Sequence, residues 1–365
     1  MSKLPTILHI STPKSWRGGE QQVAYLYEEL EQKGLTQYIL CRKNSAMAKR
    51  GKSKGWNIIE CRKTIAVDPF FARKVKLVCE QKKIDIVHAH DSHAHSFAVI
   101  SASLFGNTTP IVVSRRVDFA ISKSSIKKYN HKNIKRILCV SNAIKKLTEP
   151  DIKNKSIVKT VYSGIDLSKF SMDTKKYEKL HKEYNIPDDI PLIGNVAAIA
   201  PHKDYFTFIN TAEELIKRNL KAKFFIIGAG PMEEEIKNYC AQKQLDKHII
   251  FTGFRTDIKE ILPELTVFLI TSKTEGLGTS IIDAFACKVP VVATRAGGIP
   301  EIIEHEKSGL LADVEDADEL ANQVERILNG SVDKSKIIES QQEVLQNFSK
   351  SITAEKTLKE YLSIL

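Results

Sequence analysis

The chain has 365 residues, of which 42% are hydrophobic and 27% charged. This composition is ordinary for a globular protein, but the chain is too long for a single hydrophobic core. We therefore expect two domains and no membrane span, because the longest apolar run, around Phe97–Phe105, is far shorter than the roughly 20 residues of a spanning helix. No signal-peptide pattern precedes the first predicted strand. The six cysteines lack a C-x-x-C pair, which argues against disulfides and zinc and favours a reducing cytosol.

The net charge of +11 is concentrated in the first half of the chain. Residues 1–170 carry 31 lysines and arginines against 13 acidic residues, whereas the remainder carries 24 against 31. Such a basic half favours a polyanionic partner, either nucleic acid or an anionic membrane surface. No zinc finger, RNA-binding aromatic motif or helix-turn-helix pattern is present, so no nucleic-acid partner is expected. The alternative is a lysine-rich surface that only keeps the protein soluble.

The first half alternates predicted strands and helices, which is typical of a parallel sheet with helices on both faces. Strand Thr6–Ile10 comes first and leads through a loop into helix Glu20–Lys33. Gly18 and Gly19, just before this helix, would let the backbone approach a ligand closely, unless they form only a flexible turn. The basic segment Arg42–Gly55 faces either lipid headgroups or solvent.

Four histidines, His88, His90, His93 and His95, lie in the segment DIVHAHDSHAH. Their number alone is compatible with a metal site. The strand period, however, places His88 and His90 on the same face, and no cysteine or carboxylate cluster completes a ligand set. His90 and Asp91 lie at the carboxyl end of a parallel strand, where α/β folds bind their ligands. We interpret this segment as part of a substrate cleft.

Strand Ile111–Ser114 runs into Arg115 and Arg116, which are followed by Asp118. Two arginines at a strand end are suited to holding a phosphate, either of a donor or of an acceptor. The alternative is a surface ion pair with Asp118.

The second half begins with a predicted strand, Leu192–Ala198, followed by Lys203 in the sequence APHKDY. A lone lysine is more often exposed than functional, so its context before a helix is what makes it a candidate. The later turn Gly228–Pro231 resembles the start of a dinucleotide-binding loop. Glu233 stands where the third glycine of that motif belongs, and the acidic run Glu233–Glu235 occupies the helix start that would hold a pyrophosphate, so this interpretation is excluded.

The most informative stretch is Val267–Glu301, in which a buried strand, a glycine-bearing loop and a helix follow one another. This order points free backbone N–H groups and a helix N-terminus at one place, which favours a phosphate. Glu275 and Asp283 lie in the same place and are better suited to accepting hydrogen bonds from hydroxyl groups. Phosphate and hydroxyls together indicate a nucleotide sugar. The alternative is an ordinary βαβ unit whose acids cap a helix.

The segment EGLGTSIIDAFACKVPVVATRAGGIPEII resembles the donor-site signature of glycosyltransferase family 4, and the resemblance extends over nearly the whole chain. VYSGID, at residues 161–166, is similar to a further family signature near the interdomain linker. The chain departs from the family pattern at five places, namely Asp283 for Glu, Lys288 for Gly, Ala198 for Arg, Arg116 for His and Ser163 for Asn. The shorter Asp283 affects how a ribose is held, and Ala198 leaves Lys203 without its usual arginine partner.

The resemblance implies a GT-B fold, an α/β architecture of two facing Rossmann-like doubly wound domains with a cleft between them. Residues 1–168 would form the acceptor-side domain and residues 169–349 the nucleotide-sugar donor domain. The C-terminal helix, residues 350–365, would pack back on the first domain.

The resemblance also assigns roles to individual residues. Lys203 and the amides of Gly278 and Thr279 would stabilise the leaving diphosphate, and Glu275 would hold a hydroxyl of the donor sugar. Asp283 would bind the ribose. Further donor-binding positions are Gly18, Gly19, Arg255, Gly276 and Leu277. The acceptor-side positions are His90, Asp91, Arg115 and Arg116.

The implied enzyme is a retaining hexosyl- or N-acetylhexosaminyltransferase that needs no metal or other cofactor and uses a UDP- or GDP-linked donor. The expected acceptor is a lipid-linked, lipopolysaccharide or capsule glycan, and the expected location is the cytoplasm, at the inner face of the membrane. A soluble small acceptor stays open. The alternatives are a donor-binding but inactive protein of the same fold, a two-lobed binding protein and a nucleotide-sugar epimerase.

Overall fold

The computed structural model describes residues 4–65, 68–170 and 178–365, and the chain divides into two compact units. Unit 1 runs to Gly164 and includes Ser349–Leu365, and unit 2 is Ile165–Phe348. The boundary expected from the sequence, at residues 168 and 169, lies within a few residues of this division.

Unit 1 is built on a seven-stranded parallel sheet in the order β3-β2-β1-β4-β5-β6-β7. Its central strands are buried on both faces, as expected for a sheet covered by helices. The strands are β1 (Ile7–Ser11), β2 (Gln37–Arg42), β3 (Ile58–Cys61), β4 (Ile86–Ala89), β5 (Ile111–Arg115), β6 (Ile134–Cys139) and β7 (Val158–Thr160). The helices between them are α1 (Gly18–Gln32), α2 (Ala46–Ser53), α3 (Pro69–Gln81), α4 (Ser92–Phe105), α5 (Lys123–Tyr129) and α6 (Asn142–Thr148).

Helix α1 begins two residues earlier than the sequence predicted, so Gly18 and Gly19 are its first residues rather than a loop. The cause is a capping box, in which the carboxylate of Glu20 accepts a hydrogen bond of 3.0 Å from the backbone N–H of Arg17. A Cβ at either glycine would meet no atom within 4 Å. The backbone at this helix end is therefore open to a ligand.

Unit 2 contains a six-stranded parallel sheet in the order β10-β9-β8-β11-β12-β13. The strands are β8 (Leu192–Val196), β9 (Lys223–Ile227), β10 (Ile249–Gly253), β11 (Val267–Ile270), β12 (Val291–Thr294) and β13 (Leu310–Ala312). The helices are α7 (Lys179–Glu183), α8 (Tyr205–Lys217), α9 (Glu233–Gln242), α10 (Ile258–Ile261), α11 (Thr279–Ala286), α12 (Ala317–Leu328) and α13 (Lys334–Leu345). A continuous apolar core lies under α8, α9 and α12.

The last helix, α14 (Lys350–Leu362), packs against α1 in unit 1 and buries Ala354 and Tyr361. The chain enters this helix beside Gly164, where a Cβ would lie 2.3 Å from the carbonyl oxygen of Ser349. Only glycine fits at this position, which explains the glycine of the VYSGID segment.

In the described parts of the chain, no helix has both the length and the apolar character needed to cross a bilayer. The basic segment Arg42–Gly55 contains α2, which begins with a cap by Ser45 and buries Met47 and Ala48 against the sheet. One face of this segment is thus structural, and its lysines lie on the exposed face.

Candidate functional site

Two predicted site residues of unit 2, Lys203 and Glu275, and a pair of glycines follow neighbouring strands of its sheet. Lys203 ends a short 3-10 turn after β8, Glu275 lies in the loop after β11, and Gly297 and Gly298 follow β12. Because the carboxyl ends of parallel strands meet at one edge of the sheet, these positions come together there. The sequence analysis assigned Lys203 and Glu275 to the donor site, and the structure places both at this edge.

Lys203 and Glu275 form a direct ion pair through Nζ and Oε1. Ser272 Oγ also donates a hydrogen bond of 3.0 Å to the same carboxylate oxygen. The side chains are only 16% and 9% exposed, so the pair is largely shielded from solvent. A cation and an acceptor of hydroxyl hydrogen bonds thus stand side by side.

The two glycines after β12 allow the backbone to approach the Glu275 loop. Gly297 has φ +52°, and a Cβ there would lie 2.0 Å from the carbonyl oxygen of Glu275. The backbone N–H of Gly298 donates a hydrogen bond of 3.0 Å to the same carbonyl. The Gly-Gly pair therefore fixes the backbone of Glu275.

Helix α11 starts directly after this loop. Gly278, its N-cap residue, has φ +91°, a left-handed conformation that favours glycine, and it leaves the amides of the first turn directed at the loop. Thr279 is the first helical residue and is half-buried, as is Gly276. Leu277 is only 3% exposed, so its side chain belongs to the core and only its backbone is available to a ligand.

Asp283 is a carboxylate of α11 whose oxygens have no hydrogen-bond or ion-pair partner in the described parts of the chain. Burial raises the pKa of its carboxyl group from 3.8 to about 7, and the charge of Lys169 offsets only part of this effect. Asp283 is half-buried, and an acceptor that is partly withdrawn from water is costly to leave without a donor. This is the arrangement expected of a group that receives hydrogen bonds from a ligand.

Arg255 differs from its predicted donor-binding role. Its guanidinium group makes four hydrogen bonds of 2.7–3.0 Å to the carboxylates of Glu183 and Asp257. These bonds occupy all three nitrogens, so the group is not free to compensate for the arginine that Ala198 replaces. Arg255 instead links the loop after β10 to α7 through these bonds.

The turn after β9 has a purely structural explanation. A Cβ at Gly228 would lie 2.0 Å from the carbonyl oxygen of Ala197, and one at Gly230 would lie 2.2 Å from that of Ile199. Close packing against the loop after β8 requires both glycines, in agreement with the exclusion of a dinucleotide site.

In unit 1, His90 belongs to a buried chain of hydrogen bonds that begins at Gln37. Gln37 Nε2 donates to the carbonyl of Tyr27 at 3.0 Å, so its Oε1 accepts from His9 Nε2 at 3.0 Å. His9 Nδ1 then accepts from His90 Nε2 at 2.9 Å, and His90 Nδ1 is left as a buried lone pair with no partner among the described residues. Burial lowers the pKa of His9 to about 4 and that of His90 well below its usual value, so both rings are neutral.

The sequence interpretation missed His9, which lies on β1, far along the chain from His88 and His90. Nitrogens of these three buried histidines lie within 4.8 Å of one another. The rings of His9 and His90 stack with centroids 5.1 Å apart, whereas those of His88 and His90 are tilted by 35° with centroids 3.9 Å apart. Both nitrogens of His88 form hydrogen bonds, to Tyr361 Oη and Ser114 Oγ, and His90 Nε2 bonds to His9 Nδ1. In the described residues these rings therefore take part in hydrogen bonds within the protein.

Asp91 has a structural task that its predicted acceptor-side role did not include. Its carboxylate caps α4 by accepting from the N–H groups of His93 and Ala94 at 3.0 and 2.9 Å. It also accepts from the backbone N–H and hydroxyl of Thr12 at 2.7 and 2.8 Å. These four bonds join the loops after β1 and β4, and they leave little capacity for a substrate.

Arg115, the last residue of β5, and Arg116, which follows it, point to opposite faces of the sheet, as the strand period requires. Arg115 is 3% exposed; it donates to Tyr129 Oη at 2.9 Å and to the carbonyl of Phe119. Arg116 instead donates to the carbonyl of His90 at 3.3 Å. The structure therefore separates the predicted pair, and Arg115 does not lie with His90.

Two protein-family models match the chain. The model described as Glycosyltransferase Family 4 matches residues 16–169, and the model described as Glycosyl transferases group 1 matches residues 176–344. The matches fall on unit 1 and unit 2 respectively and together span most of the sequence.

Curated relatives agree with these matches. The chain is 24% identical to an N-acetyl-alpha-D-glucosaminyl L-malate synthase of Bacillus anthracis, over 72% of this chain and 70% of the relative. It is 26% identical to the UDP-Gal:alpha-D-GlcNAc-diphosphoundecaprenol alpha-1,3-galactosyltransferase of Escherichia coli, over 69% of this chain and 68% of the relative.

Among solved structures, the Anabaena protein Alr3699/HepE in complex with UDP and glucose superimposes with a TM-score of 0.86 at 18% identity, covering 99% of this chain and 100% of that one. Together with the two parallel sheets, this similarity confirms the predicted two-domain, Rossmann-like GT-B fold.

Proposed function

Because the chain belongs to glycosyltransferase family 4, we propose that it transfers a hexosyl or N-acetylhexosaminyl group from a nucleoside diphosphate sugar to an acceptor hydroxyl, with retention of anomeric configuration. The observation that carries this proposal is the grouping of Lys203 with Glu275 in unit 2, followed in α11 by the unpartnered Asp283. The donor is UDP- or GDP-linked. UDP has the more direct support, since the Escherichia coli relative is named for UDP-Gal and the Anabaena structure contains UDP.

Lys203 and the amides at the start of α11 act on the leaving diphosphate. Negative charge develops there as the glycosidic bond breaks, and a fixed cation and helix N-terminus stabilise it more in the transition state than in the ground state. Glu275, already beside Lys203, accepts a hydrogen bond from a hydroxyl of the donor sugar. A sugar diphosphate would thus bridge the two members of the ion pair.

Asp283 accepts hydrogen bonds from the ribose hydroxyls, which supply the donors that its carboxylate lacks in the protein. Aspartate is one methylene shorter than the glutamate of the family pattern, so the ribose must lie closer to α11. The acceptor proton goes to a phosphate oxygen of the donor, and no side chain is assigned as the base.

The reaction needs no metal ion, since Lys203 and the α11 amides supply the positive charge that the diphosphate requires. Donor hydrolysis measured in EDTA tests this point. A rate equal to that in magnesium supports it, whereas loss of activity that magnesium restores would contradict it.

The acceptor is a lipid-linked or cell-envelope glycan of the lipopolysaccharide or capsule type, and the enzyme works in the cytoplasm at the inner membrane surface. The name of the Escherichia coli relative specifies a diphosphoundecaprenol-linked acceptor. The basic first half, with 31 lysines and arginines against 13 acidic residues over residues 1–170, is suited to an anionic surface. Binding to liposomes should require anionic lipid and weaken with salt; equal binding to neutral liposomes would contradict this location.

A second candidate is a protein of the same fold that binds the donor without transferring the sugar. Ala198 supplies no charge where the family pattern has arginine, and Arg255 is held by Glu183 and Asp257, so Lys203 is the one candidate cation from the predicted donor-site residues. Slow hydrolysis of the bound donor distinguishes the two, because only an active transferase releases free sugar.

A thermal-shift panel of UDP, GDP, ADP and CMP with their common sugar conjugates tests donor binding. A ligand that binds the folded state raises the melting temperature according to its concentration relative to Kd. We expect a shift with one base that Asp283→Ala abolishes. Asp313→Ala, which removes an exposed aspartate of the same unit, should keep the full shift. No shift with any nucleotide in the unmodified protein would overturn the proposal.

A further inference from the structure

Arg116 is a cation without a counter-ion in unit 1. One of its terminal nitrogens donates to the carbonyl of His90 at 3.3 Å. Within the described ranges, its buried Nε has no hydrogen-bond partner and no carboxylate forms an ion pair with the guanidinium group. Arg116 therefore differs from Arg115, whose guanidinium group is bound by Tyr129 and Phe119.

The nearest acids are committed elsewhere. Asp91 caps α4 and holds Thr12, and Glu20 accepts from the backbone of Arg17. Both attract Arg116 only from a distance. Burial raises the pKa of Glu20, and the backbone hydrogen bonds that its carboxylate accepts offset part of this effect.

Burial lowers the pKa of the Arg116 guanidinium to about 10, so the charged form is disfavoured although it persists at neutral pH. Arg116 is half-buried, and a charge that is partly withdrawn from water is costly unless an opposite charge accompanies it. Arg116 also lines a cavity of about 20 Å³ with His88, Ser114 and Ser163, which has room for about one water molecule. A water there can accept a hydrogen bond but cannot neutralise the charge, and the cavity is too small for an oxyanion.

We propose that the exposed side of Arg116 binds an oxyanion, a phosphate or carboxylate, carried by the acceptor substrate. The fork of a guanidinium group matches the oxygens of either anion. The assignment to the acceptor follows from the position of Arg116 in unit 1, whereas Lys203, Glu275 and Asp283 belong to unit 2. It rests on the proposed function and adds that the acceptor carries a phosphate or carboxylate group.

The first test compares the unmodified protein with Arg116→Gln, Arg116→Lys and the control Lys123→Gln, which removes an exposed positive charge at the start of α5. Melting temperatures are measured in inorganic phosphate and in succinate, against sodium chloride of equal ionic strength. The unmodified protein and Lys123→Gln should be stabilised by at least one of the two anions. Arg116→Gln should bind that anion at least roughly tenfold more weakly, with Arg116→Lys in between.

The melting temperature without phosphate or succinate is a second measurement, and here the substitution is not expected to lower the measured value. Because the unpaired charge is removed, Arg116→Gln should melt at or above the temperature of the unmodified protein in sodium chloride. A large loss of stability would mean that Arg116 is already compensated within the protein, and the proposal would be overturned. The proposal would also be overturned if neither phosphate nor succinate raised the melting temperature of the unmodified protein.

UDP distinguishes the acceptor from the donor as the source of the anion. If the acceptor carries it, Arg116→Gln keeps the full thermal shift with UDP, and Asp283→Ala keeps the full shift with phosphate or succinate. If Arg116→Gln loses the UDP shift, the anion is the donor diphosphate and the acceptor assignment is wrong. A third outcome separates the two proposals. If phosphate raises the melting temperature only when Arg116 is present, but no nucleotide raises it, then the anion site is supported and the proposed function is contradicted.

Discussion

The ammonium group of Lys203 forms an ion pair with the carboxylate of Glu275, although the two residues are 72 positions apart in the chain. The turn after β8 and the loop after β11 bring them together because these strands are neighbours in the sheet. Each side chain therefore depends on the other for its charge balance, and removing one leaves the other poorly compensated. Stability and turnover must be measured together for any variant of this pair.

We expect Lys203→Ala to lower the turnover number by roughly 10²–10³, the usual cost of removing one group that stabilises a developing anion. The variant should also lose stability, since Ser272 is the one side-chain partner that Glu275 keeps among the described residues. The double variant Lys203→Ala with Glu275→Gln should recover stability but not turnover. Near-normal turnover of Lys203→Ala, measured as donor hydrolysis, would remove Lys203 from the mechanism.

Gly297→Ala should damage the donor site by moving the Glu275 backbone. The added Cβ would meet the carbonyl oxygen of Glu275 at 2.0 Å, and the position also has a positive φ of +52°. Gly330→Ala is a matched control, because Gly330 has φ +77° but open space around its Cβ position. Urea unfolding should give a loss of about 1 kcal/mol for the control and a clearly larger one for Gly297→Ala. Equal losses would mean that the loop containing Glu275 can move to accommodate the added Cβ without a further loss of stability.

The donor loop was predictable because its signals are local. A buried strand, a glycine with positive φ and a helix start follow one another within a few residues, and backbone geometry alone then fixes their arrangement. The alternation of strands and helices likewise predicted both parallel sheets. The ion pair of Lys203 with Glu275 was not predictable from spacing, since it depends on which strands become neighbours.

The acceptor-side residues were predicted less well, for identifiable reasons. The strand period would have placed Arg115 and Arg116 on opposite faces, but the sequence interpretation treated them as a pair. Asp91 was assigned to a substrate, although its position immediately before a helix is typical of a cap. His9 gave no signal at all, because a lone histidine in a short apolar strand acquires its meaning only from its neighbours in the sheet.

Asp283 should make stability depend on pH. Its pKa in the folded protein is about 7 instead of 3.8, so its contribution to the free energy of unfolding is fully present below about pH 4 and is lost as pH rises through about 7. Asp283→Asn should therefore match the unmodified protein at low pH and exceed it above pH 7. The gain is at most about 4 kcal/mol, at roughly 1.4 kcal/mol per pKa unit. Urea unfolding with and without the substitution, from pH 4 to pH 8, measures this; a difference that is constant with pH would contradict the raised pKa.

The hydroxyl of Tyr361 ties α14 to the sheet of unit 1. It lies 2.5 Å from Nδ1 of His88, whose Nε2 lies 2.8 Å from Ser114 Oγ, and both ring residues are fully or almost fully buried. Tyr361→Phe keeps the packing but leaves a buried ring nitrogen without its partner, so urea unfolding should show a loss of about 1–3 kcal/mol.

Tyr38→Phe is the control for this substitution, since Tyr38 is half-buried and its hydroxyl forms no hydrogen bond with the described residues; its change should stay within about 0.5 kcal/mol. Because His88 and Ser114 also line the cavity beside Arg116, Tyr361→Phe should weaken phosphate or succinate binding slightly while the UDP shift stays unchanged. A loss of stability no larger than that of the control would mean that α14 is held by its apolar contacts alone.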